Sequence, residues 1–382
     1  MKRFFKFIFK TLLTVILIAV VAAALIWGRE IRTVASVKQV GDNKYLYQMQ
    51  YSAKYDLDEV MAANIDENSK LLEYVVSKVG KGIKFKINSS QTSDAGKMEP
   101  AVANCTSFQA RKDGEEGYWY GRNYDFFKNP TLVTVSHPKK GYASIAVSDM
   151  SHFGYSLDKV PDSFKNKVLC IASIYAPVDG INEKGLCTSI MALPNQASQQ
   201  NTGKPAVGTT IIMRLFLDRC ATVQEALDLL ATVDVRHDAG VGSGYHYMVA
   251  DANGDCAVIE FDKNDGWKTM IVRKDAAMNY MHVTNHLLDP KYYTTEPDPE
   301  VGNPNSHSWE RYAKVEEYLG SRNGVASFAE AQECLSLVHW KDLVWPNGMI
   351  EDTQYSNVYD QSAIKLYLRN WNDYDTTCEF GL

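Results

Sequence analysis

Residues 11–28 (TLLTVILIAVVAAALIWG) run for eighteen positions without a charge, and Lys2, Arg3, Lys6 and Lys10 stand directly before them. An apolar stretch of this length is long enough to cross a bilayer as a helix, and basic residues on its leading side favour a cytoplasmic N-terminus. The segment reads as a transmembrane anchor with its N-terminus inside, or as a long signal peptide. Ala22, Ala23 and Ala24 offer small residues to a signal peptidase, but the apolar run continues through Leu25, Ile26 and Trp27, which favours the anchor. Either way the body is expected to be membrane-anchored or exported, outside the cytoplasm.

That body is acidic. Six basic residues against Glu30 give +5 over residues 1–32, which leaves −11 for the remainder of a chain whose total is −6. An acidic surface does not suit nucleic acid, whose binding rests on displacing counterions with basic side chains. Hydrophobic residues at 45% and charged residues at 23% are ordinary for a globular chain and exclude wholesale disorder. The seven cysteines include no CxxC pair and are odd in number, so they do not read as a disulfide framework. Most sit in apolar runs, as small core residues do.

Residues 43–52 place Tyr45, Tyr47, Met49 and Tyr51 on one face, a strand period, and residues 56–79 carry a helical pattern ending at Gly80. Residues 88–99 are small and polar, as an exposed linker is. After Cys105 the pattern turns β-rich. Residues 106–111 and 117–123 read as one strand pair, and 131–136 and 142–147 as another. Residues 245–261 read as a hairpin around Asn253-Gly254. Residues 208–231 are helical, restarted by the capping box Thr222-Val223-Gln224-Glu225, and Ser327 to Glu330 caps a further helix. Residues 355–370 read as a final hairpin. Strands, then helices, then strands predict an α+β fold with helices packed on antiparallel sheets.

The chemistry-bearing residues fall in five ordered segments. Asn104-Cys105-Thr106-Ser107-Phe108 is followed by Gly121-Arg122-Asn123-Tyr124-Asp125-Phe126, then by Asp179-Gly180-Ile181-Asn182-Glu183-Lys184-Gly185-Leu186, Val283-Thr284-Asn285 and Ser308-Trp309-Glu310-Arg311-Tyr312. This series resembles the choloylglycine hydrolase and penicillin V acylase family of N-terminal-nucleophile hydrolases, with acid ceramidase-like enzymes as relatives. The resemblance spans residues 105 to 370. It implies a four-layer αββα sandwich over residues 105–382; ahead of it we expect a small α/β pro-segment at 29–104 and the anchor or signal at 1–28.

A free cysteine thiol titrates near 8.5 and needs activation at neutral pH. In the family that resemblance names, the activator is the α-amino group of the same residue, which exists only once the bond between Asn104 and Cys105 is cut. The resemblance implies that Cys105 attacks its own preceding carbonyl to make that cut. It places Arg122 beside the thiolate and Asp125 against the α-amino group. Asn285 and the backbone N–H of Ala192 become oxyanion donors, and Arg311 completes the polar network. The chain departs from the family at Ala192, where Asn or Tyr is frequent, and in its long pre-sequence.

The implied activity is hydrolysis of a linear amide in an N-acyl substrate, of bile-salt, penicillin V or N-acyl amino acid or lipid type, through a Cys105 thioester. An acyltransferase on the same fold and a non-catalytic, membrane-anchored binding protein are the alternatives. A papain-like protease is disfavoured, because no CGSCW-like segment is present. No cofactor or metal is expected: there is no HExxH, and His282 and His286 are four apart in a segment that reads as strand and loop. The expected partners are a small N-acyl amide, the membrane through residues 1–28, and a second copy of the chain.

Overall fold

The computed structural model describes residues 2–81, 104–194, 196–238, 243–345, 348 and 350–382; the side chains of 2–13, 15, 16, 18–20 and 194 are outside that description. The linker expected at 88–99 lies outside the described residues.

Alternating apolar runs separated by polar turns produce long antiparallel ladders. In chain order the strands begin with Lys38–Val40 (β1), Asn43–Tyr51 (β2), Asn104–Lys112 (β3), Tyr118–Phe126 (β4), Thr131–Ser136 (β5) and Ser144–Asp149 (β6). They continue with Asp179–Asn182 (β7), Cys187–Pro194 (β8), Ala206–Val207 (β9), Asp234–Val235 (β10), Ser243–Ala250 (β11), Cys256–Asp262 (β12) and Lys268–Arg273 (β13). The last are Tyr280–Val283 (β14), Val325–Ala326 (β15), Leu343–Val344 (β16), Ile350–Asp360 (β17), Lys365–Asn370 (β18) and Asp373–Gly381 (β19).

Among the described residues one large sheet runs β1-β2-β5-β6-β7-β8-β11-β12-β13, a second runs β14-β3-β4-β17-β18-β19 with β15 beside β3 and β16 beside β17, and β9 and β10 form a separate parallel pair. The strand pairs expected around residues 112–117 and 137–143 and the hairpin at 245–261 all form in antiparallel register. The final hairpin extends by a further strand, β19, which the sequence reading did not anticipate.

The two sheets face one another. Ser107 Oγ of β3 lies 2.8 Å from Ser189 Oγ of β8, and the Tyr120 hydroxyl of β4 contacts the same atom. The main apolar core joins residues of both sheets, among them Tyr120, Tyr124, Ile181, Tyr247 and Tyr355. Helices cover the outer faces. Thr209–Arg219 lies on β7 and β8, tied by Asn182 Nδ2 to the carbonyls of Leu217 and Cys220 at 3.0 and 2.7 Å. Ser308–Gly320 and Phe328–Leu337 cover the second sheet over a separate core of Phe108, Trp119, Leu319, Leu335 and Val358. The order is therefore helix, sheet, sheet, helix.

Residues before Cys105 enter this architecture. β2 runs parallel to β5, pairing Leu46 to Tyr51 with Thr131 to Ser136. Thr33 Oγ1 accepts the backbone N–H groups of Ser52 and Ala53, each at 2.8 Å. The helical region expected at 56–79 is two helices, Leu57–Ala62 and Asn68–Gly80. The N-terminal helix runs Lys2–Ala35. Among the described residues no helix is long and apolar enough to cross a membrane; the expected anchor at 11–28 falls partly on side chains outside the description.

Candidate active site

The β3–β4 register decides which side chains can meet. Cys105 pairs with Tyr124, Ser107 with Arg122, and Asn104 with Asp125. Successive residues alternate faces, so Cys105 and Arg122 share the face between the sheets as diagonal neighbours, while Asn104 and Asp125 share the other. On that other face Gly121 makes room for Phe108, whose ring a Cβ there would meet at 2.3 Å. Cys105, Arg122 and Asp125 are all fully buried or nearly so.

Two further segments close on the same spot. Asn285, just after β14, accepts the Cys105 backbone N–H at 2.6 Å and the Arg311 guanidinium Nη2 at 2.8 Å through the same oxygen. Arg311, in the first turns of the helix Ser308–Gly320, also donates from Nη1 to the Cys105 carbonyl and to Thr106 Oγ1. The Ser308 hydroxyl accepts the Asn285 backbone N–H at 2.7 Å, so the asparagine is held at both ends. Five of the six residues expected from the sequence, Cys105, Arg122, Asp125, Asn285 and Arg311, are thus brought together. The sixth, Ala192, joins through its carbonyl, which accepts Asn285 Nδ2 at 2.9 Å.

Burial pushes the Cys105 thiol up from its ordinary value, Asp125 adds to that, and Arg122 and Arg311 oppose it. Asp125 is itself pushed up to about 6 by burial, against the pull of Arg311, the Thr353 hydroxyl and Arg122.

Residues not singled out by sequence reasoning complete the site. Asp179 lies 3.8 Å from Arg122 and accepts the hydroxyls of Tyr355 and Tyr359 and the Asn357 amide. It stands in a quoted motif, but nothing in the sequence pointed it at Arg122. Thr353 donates to Asp125 Oδ1. Glu351 accepts the backbone N–H of Asn104 at 3.0 Å and its Nδ2 at 2.7 Å. A run of Glu351, Asp352 and Thr353 entering a buried strand is the one signal that could have flagged the last two. Among the described residues no group of three His, Cys, Asp or Glu side chains could hold a metal ion.

Cys105 thus stands buried at the head of β3 inside a helix–sheet–sheet–helix sandwich. Solved structures share this fold. Two mutant forms of conjugated bile acid hydrolase from Clostridium perfringens superpose with TM-scores of 0.52, at 15% and 14% identity, covering 73% and 72% of this chain and 92% of each of theirs. Penicillin V acylase from Agrobacterium tumefaciens gives 0.51 at 17% identity over 72% of this chain and 85% of its own. The model of the acyl-coenzyme A:6-aminopenicillanic acid acyl-transferase family matches residues 162–339, a span that holds Ala192, Asn285 and Arg311 and begins after Cys105, Arg122 and Asp125. No curated protein matches the chain. The chain resembles the choloylglycine hydrolase and penicillin acylase family in fold as well as in motifs.

Proposed function

We propose that this protein is a self-processed cysteine amidase that hydrolyses the linear amide of an N-acyl substrate. The observation that carries this is the convergence on Cys105: Asn285 takes its N–H, Arg311 takes its carbonyl, and Arg122 and Asp125 flank it. In the first event the Cys105 sulfur adds to the Asn104 carbonyl carbon, the C–N bond breaks, and the nitrogen takes the thiol proton to become the free α-amino group. Water then hydrolyses the resulting thioester, leaving Asn104 as a carboxylate. The freed amine takes the thiol proton in each later turnover, the sulfur attacks the substrate carbonyl, the amine product leaves, and water releases the acid. Freeing Asn285 Nδ2 from the Ala192 carbonyl is the rearrangement that would turn it into an oxyanion donor.

The neighbours named for bile acid and penicillin V hydrolysis support an amide of a small N-acyl compound. The match to an acyl-transferase family model supports a second reading, in which an amine rather than water accepts the acyl group. Incubating the processed protein with N-acyl amides, with and without a competing amine, tests both. Free acid alone supports hydrolysis, and an acylated acceptor supports transfer. No product of either kind, in preparations whose N-terminus is Cys105, favours a non-catalytic binding protein. Leu17, Val21 and Leu25, four apart on one helix face and exposed, support attachment at a membrane, which fractionation of cells would read directly.

A further inference from the structure

The uncut chain grips the residue before Cys105 as firmly as Cys105 itself. Asn104 is fully buried, with its N–H and side-chain amide both donated to the Glu351 carboxyl. Trp345 Nε1 donates at 2.6 Å to Glu351 Oε2, the oxygen that also accepts the Asn104 side-chain amide, and so helps to fix the carboxyl. Across the bond, the Cys105 N–H is held by Asn285 and the Asn104 Oδ1 by Arg311 Nη2 at 3.3 Å. The peptide unit between residues 104 and 105 is therefore clamped at both ends, by Glu351 on the departing side and by Asn285 on the retained side. A buried carboxyl is costly unless hydrogen-bonded, and two of the three donors satisfying this one belong to the residue that the cut would separate covalently from Cys105.

We propose that Glu351 is a positioning residue for self-cleavage: by holding Asn104 at its N–H and its side-chain amide, it presents the Asn104 carbonyl carbon to the Cys105 thiol. This rests on self-processing at the Asn104–Cys105 bond. Glu351 transfers no proton in it; it restricts rotation of the scissile unit, and a loss of orientation of this kind costs roughly 10²-fold in rate.

The test follows conversion of the purified full chain with time by intact mass, in wild type, Glu351→Gln, Asn104→Ala and the double variant, with a thermal melt of each. Glu351→Gln is expected to slow conversion by about 10²-fold and Asn104→Ala by about 10-fold. Because Glu351 acts through Asn104, the double variant should be no slower than Glu351→Gln alone, a non-additivity that a merely structural role would not produce. Conversion of Glu351→Gln at the wild-type rate, or strictly multiplicative effects, overturns the proposal. Should Glu351→Gln fail to fold, Asn104→Ala decides: a slowed rate supports the grip and an unchanged rate overturns it. A wild-type chain that is never cut overturns the self-processing reading beneath it, which is a different result from a wild type that is cut and a Glu351→Gln that is cut equally fast.

Discussion

Arg122 has no exposed surface, and a buried guanidinium is tolerable only with an anion in reach. Asp179 supplies it from β7, with three donors holding its oxygens in place. Asp179→Ala would leave the cation buried and unpaired, and urea unfolding should show a loss of roughly 3–5 kcal/mol together with a fall in activity. A loss under about 1 kcal/mol would mean that Arg122 finds its anion elsewhere. At this scale the residues that converge on the candidate site were legible, because Cys105, Arg122, Asp125, Asn285 and Arg311 sit inside short motifs. Their supports were not. Thr353 and Glu351 reach the site through strand pairing such as Thr353 opposite Asp125, and Asp179 reaches Arg122 across the space between the sheets; no local pattern encodes these long-range contacts.

Among the elements, β3 and β4 carry the most consequence, since their register alone decides that Cys105 and Arg122 face the same way. Gly121 sets how closely Phe108 can lie under them. Gly121→Ala would drive a methyl into a fully buried ring, and a cost of about 1–3 kcal/mol is expected, read as a lower denaturation midpoint at unchanged slope. Alternating apolar residues around a polar turn made these hairpins readable from sequence. β19 was missed because Asp373 to Gly381 is polar and half-exposed, as an edge strand without a buried face is. The helical stretch at 56–79 breaks because the chain must bury Ile65 and turn Asn64 into the left-handed region. There the Asn64 side chain accepts the Ala206 N–H, and the Ile65 carbonyl accepts the Gly208 N–H.

For the whole molecule, the strand β2 is an integral part of the larger sheet, with Leu46, Tyr47, Met49 and Tyr51 buried against the body. Cutting the 104–105 bond removes one covalent link and none of these contacts. The two pieces should co-elute on a sizing column and separate only in denaturant; separate elution in native buffer would contradict the packing described. Burial and Asp125 push Glu351 up to about 8 from 4.5. Between those values the folded chain holds a proton that the unfolded chain has lost, so this group's contribution to stability falls as pH rises and is fully lost above about 8. In an uncut Cys105→Ala chain, the midpoint measured from pH 6.5 to 8 should fall more steeply than in Cys105→Ala/Glu351→Gln, whereas equal slopes would place the Glu351 pKa outside that window. Intact mass and N-terminal sequencing of the purified wild-type chain beside Cys105→Ala reach the central claim most directly. A new N-terminus at Cys105 in the wild type, absent from the variant, is the predicted result; a wild-type chain that stays whole, or a variant cut at the same bond, would contradict it.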